Sequence, residues 1–167
     1  GCYPTAISLA LFPALAAGLA LSAGVAHALQ AQFYEGERAT YMRRLTGRFE
    51  AVVRPETGGP FERFYNRCEA LLGNRTRPFD RELAAASPAR QQELLAAWRG
   101  RAAQTLRWMA PLSADGRVIA LAMALLAGSP IWFWLWEIAG LSLLALAANA
   151  RLRQAESVDN ADGRASA

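Results

Sequence analysis

Residues 4–44 read PTAISLALFPALAAGLALSAGVAHALQAQFYEGERATYMRR, and this stretch decides how the rest of the chain is interpreted. No charged residue occurs before Glu35, and residues 35–44 contain five. A bilayer crossing needs about 20 apolar residues in a helix, and this apolar run is longer. Its polar continuation keeps a helical pattern up to Leu45. The sequence therefore predicts one transmembrane helix over residues 3–45 that extends into the cytoplasm.

Polar side chains recur at steps of three and four along the second half of this helix, so they share one face. A histidine or glutamine at membrane depth is costly unless it faces a protein interior or a wet cavity. We therefore take this polar stripe as a candidate binding surface. The alternative is an interfacial helix end with snorkelling side chains. The stripe consists of His27, Gln30, Tyr34, Arg38 and Tyr41.

A cleaved secretory signal is a rival interpretation of the same stretch, because Ala26-His27-Ala28 has the small-x-small form of a cleavage site. Against it, no basic residue precedes the apolar run, and the run exceeds the usual length of a signal's apolar region. Small residues also line one face of the helix and would let a second helix approach closely, which leaves a homodimer open. They are Ala17, Ala20, Gly24 and Ala28.

Residues 46–111 form an arginine-rich segment that we predict to be cytoplasmic, with a loop followed by two amphipathic helices. The first helix is expected from Phe61 to Leu72. The second is expected from Ala89 to Ala110, with Ser87 as its cap and Pro88 in its first turn. Between them, Arg75 and Arg77 are expected to be solvated charge rather than a phosphate site.

Residues 112–153 are predicted to form a transmembrane hairpin whose tight turn lies at Gly128-Ser129-Pro130. Ile131–Ala150 would span about 30 Å as a helix, whereas Leu112–Gly128 would span only about 25 Å. One crossing instead of two therefore remains an alternative. Glu137 lies in the second arm and is expected to pair with another helix rather than to act in catalysis. Residues 154–167 are small and polar, and we expect a disordered tail.

The charge distribution sets the expected topology. The chain carries 18 arginines, no lysine and a net charge of +4, and 15 of the arginines lie between Arg38 and Arg117. Because basic residues favour the cytoplasmic side, we expect a multi-pass protein of the cell inner membrane with residues 46–111 and the C-terminus in the cytoplasm. The modest net charge argues against nucleic-acid binding. Cys2 and Cys68 are expected to be free thiols.

These observations predict an all-α fold. It would be an integral membrane helical bundle of about three transmembrane helices plus amphipathic cytoplasmic helices, with the lipid bilayer as its main partner.

In its order of elements the chain resembles the C-terminal half of a CDP-alcohol phosphatidyltransferase. The shared features are an apolar helix ending in H-x-x-Q-x-x-x-Y-E-x-x-R-x-x-Y, a basic cytoplasmic stretch and a terminal two-helix hairpin. Members of that family have six transmembrane helices and transfer a phosphatidyl-type group from a CDP-linked donor to an alcohol. This chain would supply the fourth, fifth and sixth helices. The motif letters are His27, Gln30, Tyr34, Glu35, Arg38 and Tyr41.

The resemblance implies a site for a CDP-linked lipid donor and, in the complete enzyme, a divalent metal such as Mg or Mn. The signature that holds this metal, Asp-Gly-x2-Ala-Arg-x8-Gly-x3-Asp-x3-Asp, is absent from this sequence. We therefore expect a piece of a longer protein, with no catalytic residue, metal ligand or cofactor of its own, that is inactive alone. Arginine forks suit phosphate oxygens, so Arg38, then Arg43 and Arg44, are candidate substrate contacts beside the rest of the stripe. The alternative is a noncatalytic membrane protein whose basic segment binds a partner or anionic lipid.

Overall fold

The computed structural model describes residues 6–51, 59–60, 62–63, 66–67 and 75–165, and this part of the chain is helical and contains no strand. Both cysteines, and most of the helix predicted from Phe61 to Leu72, lie outside the described residues. The helices are α1 (Ala6–Leu45), α2 (Pro78–Ala85), α3 (Pro88–Trp108), α4 (Ala114–Leu126), α5 (Ile131–Leu135) and α6 (Leu141–Ala165).

Helix α1 is continuous over 40 residues, as the sequence predicts. It ends at Leu45, and Gly47 follows with a φ of +71°, a left-handed conformation that glycine adopts without steric cost. The stretch Ala26-His27-Ala28 lies within the helix.

Helix α3 begins at the cap that the sequence predicts. The side chain of Ser87 accepts a hydrogen bond from the Arg90 N–H, and Pro88 occupies the first turn of α3. A 3₁₀ turn over Ala110–Leu112 separates α3 from α4, whose cap Ser113 accepts from the Gly116 N–H. The turn from α4 to α5 contains Gly128 with a φ of +86°, at the predicted hairpin turn.

The final helical stretch is α5, a π turn over Trp136–Gly140 and α6, which follow one another without a break. Helix α6 passes Gln154, where we expected a disordered tail, and ends at Ala165. It continues because Ala155 and Glu156 are buried against the other helices. The burial of Glu156 could not be predicted from the sequence, because a charged residue in a polar stretch is expected to be exposed and its arginine partners are distant along the chain.

The core lies mainly between α3 and α6, with α2 packed on α3. Helix α3 is amphipathic, as predicted: its apolar face is buried, and Leu95 and Leu106 pack at the edge of that face. Short helix α2 adds Phe79 and Leu83 to the same core. The other buried residues of this core are Leu94, Trp98, Ala102, Met109, Leu112, Leu141, Ala148, Leu152 and Ala155.

Two helices among the described residues are long and apolar enough to cross a membrane: Pro13–Leu45 and Ile131–Ser157. Only 11% and 17% of their most apolar windows are buried within the protein, unlike the core helices of a soluble domain. Helix α4, the first arm of the predicted hairpin, has 13 residues and is therefore about 20 Å long, short of a bilayer's roughly 30 Å core. Helix α4 starts later than predicted because Leu112, the first residue of the predicted crossing, belongs to the preceding 3₁₀ turn.

Gly116 is required by the close approach of α4 to the preceding 3₁₀ turn. A Cβ at this position would lie 2.6 Å from Pro111 Cα and 2.7 Å from the Ala110 carbonyl oxygen. Both are backbone atoms and cannot rotate away. We expect Gly116→Ala to lower the free energy of unfolding by about 1–3 kcal/mol, measured by denaturant titration in mild detergent.

Gly100 supplies the matched control for this substitution, because it lies in α3 and the added Cβ would meet no described atom within 4 Å beyond its chain neighbours and the backbone of its own helix. Gly100→Ala should leave stability unchanged or raise it by up to about 1 kcal/mol, since alanine favours helix. Equal effects of the two substitutions would contradict the steric explanation.

Candidate functional site

A buried polar cluster joins α1, α4 and the π turn. Glu137 lies in the π turn and is 1% exposed. Arg117, in the first turn of α4, is 4% exposed and forms an ion pair with Glu137 through Nη1. Such a pair is stable in an apolar setting only when the remaining donors are also satisfied. The interhelical pairing that the sequence predicts for Glu137 is thus present.

The other donors of Arg117 are satisfied by backbone and amide groups. Its Nε donates to the Leu112 carbonyl oxygen at 3.0 Å, and its Nη2 donates to Gln30 Oε1 at 3.3 Å. Gln30 Nε2 in turn donates to the Glu137 carbonyl oxygen and to Ser142 Oγ, both at 2.9 Å. A π turn leaves backbone carbonyls without their usual α-helical donors, and Gln30 supplies one. The amide of Gln30 therefore connects both arms of the hairpin to α1.

His27 lies at the edge of this cluster. Its Nδ1 is 2.6 Å from Arg117 Nη1 and 3.0 Å from Glu137 Oε1. A single ring nitrogen cannot both accept a hydrogen bond from the guanidinium and donate one to the carboxylate. Nδ1 therefore bonds Arg117 when it carries no proton and Glu137 when it is protonated. The ring is about half exposed. His27 is therefore the member of the cluster that can also meet a ligand.

A cavity of about 380 Å³ opens beside His27, between α1 and the start of α4. Its polar groups come from two sides, with Tyr34 and Glu35 on α1 and Arg117 on α4. The remaining wall is mostly apolar and includes Leu121 and Phe133. We call this space the α1–α4 cavity. One part of the lining is apolar and another is charged, as are the acyl chain and the headgroup of a lipid.

A second buried cluster, the Arg44 network, joins the C-terminal end of α1 to α2 and α6. Arg44 and Asp80 are fully buried, and Arg44 Nε donates to Asp80 Oδ1 at 2.7 Å. Arg44 Nη1 lies 2.8 Å from Glu156 Oε1. The guanidinium also lies 5.0 Å and 4.8 Å from the ring centres of Phe79 and Trp98, within cation–π range.

Arg77 completes the network and corrects one expectation. It was expected to be solvated, but it is buried at the start of α2 and pairs with Glu37 and with Glu156, the latter at 3.0 Å. Burial alone would lower the pKa of Arg77, and the hydrogen bonds and charges of the two glutamates outweigh it and raise the pKa. The prediction failed because the partners are 40 and 79 residues away.

The seven candidate residues of the sequence do not form a single site. His27 and Tyr34 line the α1–α4 cavity, and Gln30 is buried behind it. Since a helix rises 1.5 Å per residue, Arg44 lies about 26 Å along α1 from His27. Whether any of them contacts a substrate stays a prediction.

The other candidates lie closer to the C-terminal end of α1. Arg43 lies 3.4 Å from Asp80 at the edge of the Arg44 network. Tyr41 packs on Trp98 with ring centres 5.4 Å apart. Arg38 is exposed, with Glu35 at 3.8 Å.

Sequence reasoning missed Arg117 and the carboxylates Glu37, Asp80 and Glu156 as cluster members. Arg117 had a usable signal. It and Glu137 are opposite charges in the two arms of the predicted hairpin, 11 and 9 residues from Gly128. Charges at similar distances from a helical turn face each other, so the pair was predictable. The three carboxylates gave no such signal.

The residues present do not fit the divalent metal that the family resemblance implies. Within the described ranges, no group of three or more histidine, cysteine, aspartate or glutamate side chains is placed to hold a metal ion. The buried carboxylates of both clusters instead face arginines.

Comparisons with protein-family models, with curated proteins and with solved structures find no match for this chain.

Proposed function

We propose that the chain is a membrane-embedded helical unit whose α1–α4 cavity binds a phospholipid-type substrate. Its role would be the one that the CDP-alcohol phosphatidyltransferase resemblance implies, the holding of a CDP-linked lipid donor during transfer to an alcohol. The observation that carries the proposal is the cavity lining, where a polar group borders a largely apolar wall; the polar residues are His27, Tyr34, Glu35, Ser113 and Arg117. The divided lining matches a ligand with a charged head and an acyl tail.

The exposed apolar surface supports membrane embedding. Helix α4 exposes Val118, Met123 and Leu126 by 65%, 66% and 89%, and α1 exposes Leu21 by 72%. Soluble proteins rarely expose contiguous apolar patches of this kind, whereas hydrocarbon accommodates them. A bilayer is therefore the environment in which these side chains are stable.

Within the cavity the side chains of this chain would bind and orient a substrate. The guanidinium of Arg117 is held in a defined position by Glu137, Gln30 and the Leu112 carbonyl, and the Glu137 carboxylate balances its charge. A phosphate at the mouth of the cavity would be hydrogen-bonded by His27 and Tyr34. Because the aspartate signature is absent from the sequence, we expect binding without turnover by this chain alone.

Binding of CDP-diacylglycerol to the purified chain in detergent micelles tests the proposal. We expect His27→Ala and Tyr34→Phe each to weaken binding about tenfold or more, the value of one hydrogen bond to a charged group. Equilibrium titration with a fluorescent CDP-diacylglycerol gives the affinity. Far-UV circular dichroism shows whether each variant keeps its helices.

Ser22→Ala is the control, because Ser22 is an exposed hydroxyl on α1 that bonds only its own helix at Gly18. It should bind the lipid as the unchanged chain does. No binding by the unchanged chain, or equal affinity in all variants, would refute the cavity as the lipid site.

We also propose that the protein crosses the inner membrane with residues 46–111 and the C-terminus in the cytoplasm. The arginine distribution supports this orientation. Fusion of a reporter that is active only in the periplasm to the C-terminus should give no signal. A periplasmic signal would rule out the orientation.

A further inference from the structure

His27 is the residue of the α1–α4 cavity whose charge changes near neutral pH. The ionisable side chains of the lining, among the described residues, are His27, Tyr34, Glu35 and Arg117. A glutamate is ionised above about pH 5, a tyrosine loses its proton at about pH 10, and an arginine keeps its proton, whereas an imidazole ordinarily gains one at about pH 6.5. Helix α5 and the 3₁₀ turn also pack on α1 and carry no ionisable residue. The charged groups that face the imidazole are Arg117 on α4 and Glu137 on the π turn.

The cavity wall carries no net charge while His27 is neutral. Arg117 is paired with Glu137, and the exposed carboxylate of Glu35 lies 3.8 Å from Arg38. In each of these pairs one positive charge is balanced by one negative charge. An anion that entered the cavity would leave water without meeting a net positive charge, which is unfavourable next to an apolar wall. A proton on His27 is the positive charge that this wall can gain.

Glu137 has the capacity to accept a second cation. Its Oε1 accepts from Arg117, and the same atom lies 3.0 Å from His27 Nδ1. Its Oε2 is buried and has no hydrogen-bond partner among the described residues. An ionised carboxylate accepts hydrogen bonds on both of its oxygens. When Nδ1 gains a proton, the imidazolium can therefore donate to Oε1 while Arg117 moves to Oε2.

A protonated His27 gives the cluster a net charge of one, because two cations then share the Glu137 carboxylate. Nδ1 is engaged inside the cluster in both states, by Arg117 when the ring is neutral and by Glu137 when it is charged. Nε2 is then the ring nitrogen left for a ligand, and it carries a hydrogen in both states. The ring is about half exposed at the edge of the cavity. His27 is thus able to donate to a ligand as a neutral group or, more strongly, as a cation.

We propose that the α1–α4 cavity binds a phosphate-bearing anion together with one proton, and that His27 is the site of that proton. The imidazolium supplies the net positive charge that the Arg117–Glu137 pair does not. This inference rests on the proposed lipid site and specifies how its charged end is recognised. Because the two bindings are coupled, a bound anion favours the proton and the proton favours the anion to the same extent.

The affinity for fluorescent CDP-diacylglycerol, measured from about pH 5.5 to about pH 8 in an uncharged detergent, tests the coupling. The unchanged chain should bind about tenfold or more weakly at the upper end, because the anion then meets a neutral imidazole. His27→Gln keeps a hydrogen-bond donor but cannot gain a proton, so its affinity should not change with pH. Tyr34→Phe is the matched control: it should weaken binding at every pH and keep the pH dependence of the unchanged chain. Circular dichroism checks that each variant is folded.

The protonation of His27 can also be observed directly, because it is the sole histidine of the sequence. In a chain labelled with ¹⁵N-histidine, the ring-nitrogen NMR signals distinguish the two neutral tautomers from the imidazolium. Without a ligand, we expect the neutral ring to carry its proton on Nε2. At a pH where half of the rings are protonated, saturating CDP-diacylglycerol should convert most of them to the imidazolium. Inorganic diphosphate should do the same and is the probe that needs no lipid.

The outcomes separate this inference from the lipid site on which it rests. Lipid binding that is independent of pH, or that falls equally in the unchanged chain and in His27→Gln, would overturn the inference and leave the lipid site standing. A neutral ring with its proton on Nδ1 would also overturn it. If the lipid does not bind at any pH but diphosphate converts His27 to the imidazolium, the proposed lipid site fails and the proton-coupled anion site stands. If neither probe changes the ring signals, the inference is refuted.

Discussion

Arg44→Ala is expected to lower the free energy of unfolding by about 3–5 kcal/mol, because it leaves Asp80 and Glu156 as buried carboxylates without their central cation. The loss of the guanidinium between Phe79 and Trp98 adds a void and removes both cation–π contacts. Denaturant titration in mild detergent, followed by circular dichroism, measures the change. Few other single substitutions in the described residues combine a lost charge with lost packing.

Arg38→Ala is the control for this prediction, since Arg38 lies on the same helix, is 64% exposed and pairs with the equally exposed Glu35 at 3.8 Å. Its effect should be within about 0.5 kcal/mol, as for surface substitutions in general. Arg44→Lys should fall between the two, because lysine keeps the charge but cannot reproduce the fork. Similar stabilities of the Arg44→Ala and Arg38→Ala variants would contradict the network as a source of stability.

The second large effect is expected for Glu137→Ala. Removal of this carboxylate leaves Arg117 as an unpaired buried charge, which typically costs about 3–5 kcal/mol. The substitution also removes the carboxylate oxygen that lies 3.0 Å from His27 Nδ1. The measurement is the same denaturant titration, with helix content checked in the absence of denaturant.

A double substitution separates the pair from its surroundings. Arg117→Met with Glu137→Leu replaces both charges by apolar side chains of similar volume, which is often neutral or stabilising. We therefore expect the double variant to be more stable than either single variant, with a coupling energy of up to about 3 kcal/mol. Additive losses would mean that the two side chains act independently, contrary to their contact.

The local elements were predictable because their signals are local. Ser87 with Pro88 and Ser113 start helices where their side chains can cap them, and Gly128 turns the chain where a left-handed residue is needed. The continuity of α1 followed from the lack of strong helix breakers between Leu29 and Leu45. Each of these depends on residues only a few positions apart.

The buried polar clusters were only partly predictable. The stripe on α1 correctly marked His27 and Gln30 as side chains that need polar partners, but not which partners they have. Arg77 is a charge in an arginine-rich loop by sequence and a buried member of a network in the structure. Ion pairs between residues 40 or more positions apart depend on how helices pack, and helical periodicity carries no information about that.

The π turn at Trp136–Gly140 sets the rotational phase of everything that follows it. A π turn holds about one residue more than the α-helical turn it replaces, and one residue corresponds to about 100° of rotation. Without the extra residue, α6 would present a different face to α1 and α3. Glu156 would then turn away from Arg44 and Arg77, and Arg151 would turn away from Trp108. The single inserted residue thus aligns the two ends of the last helix with different partners at the same time.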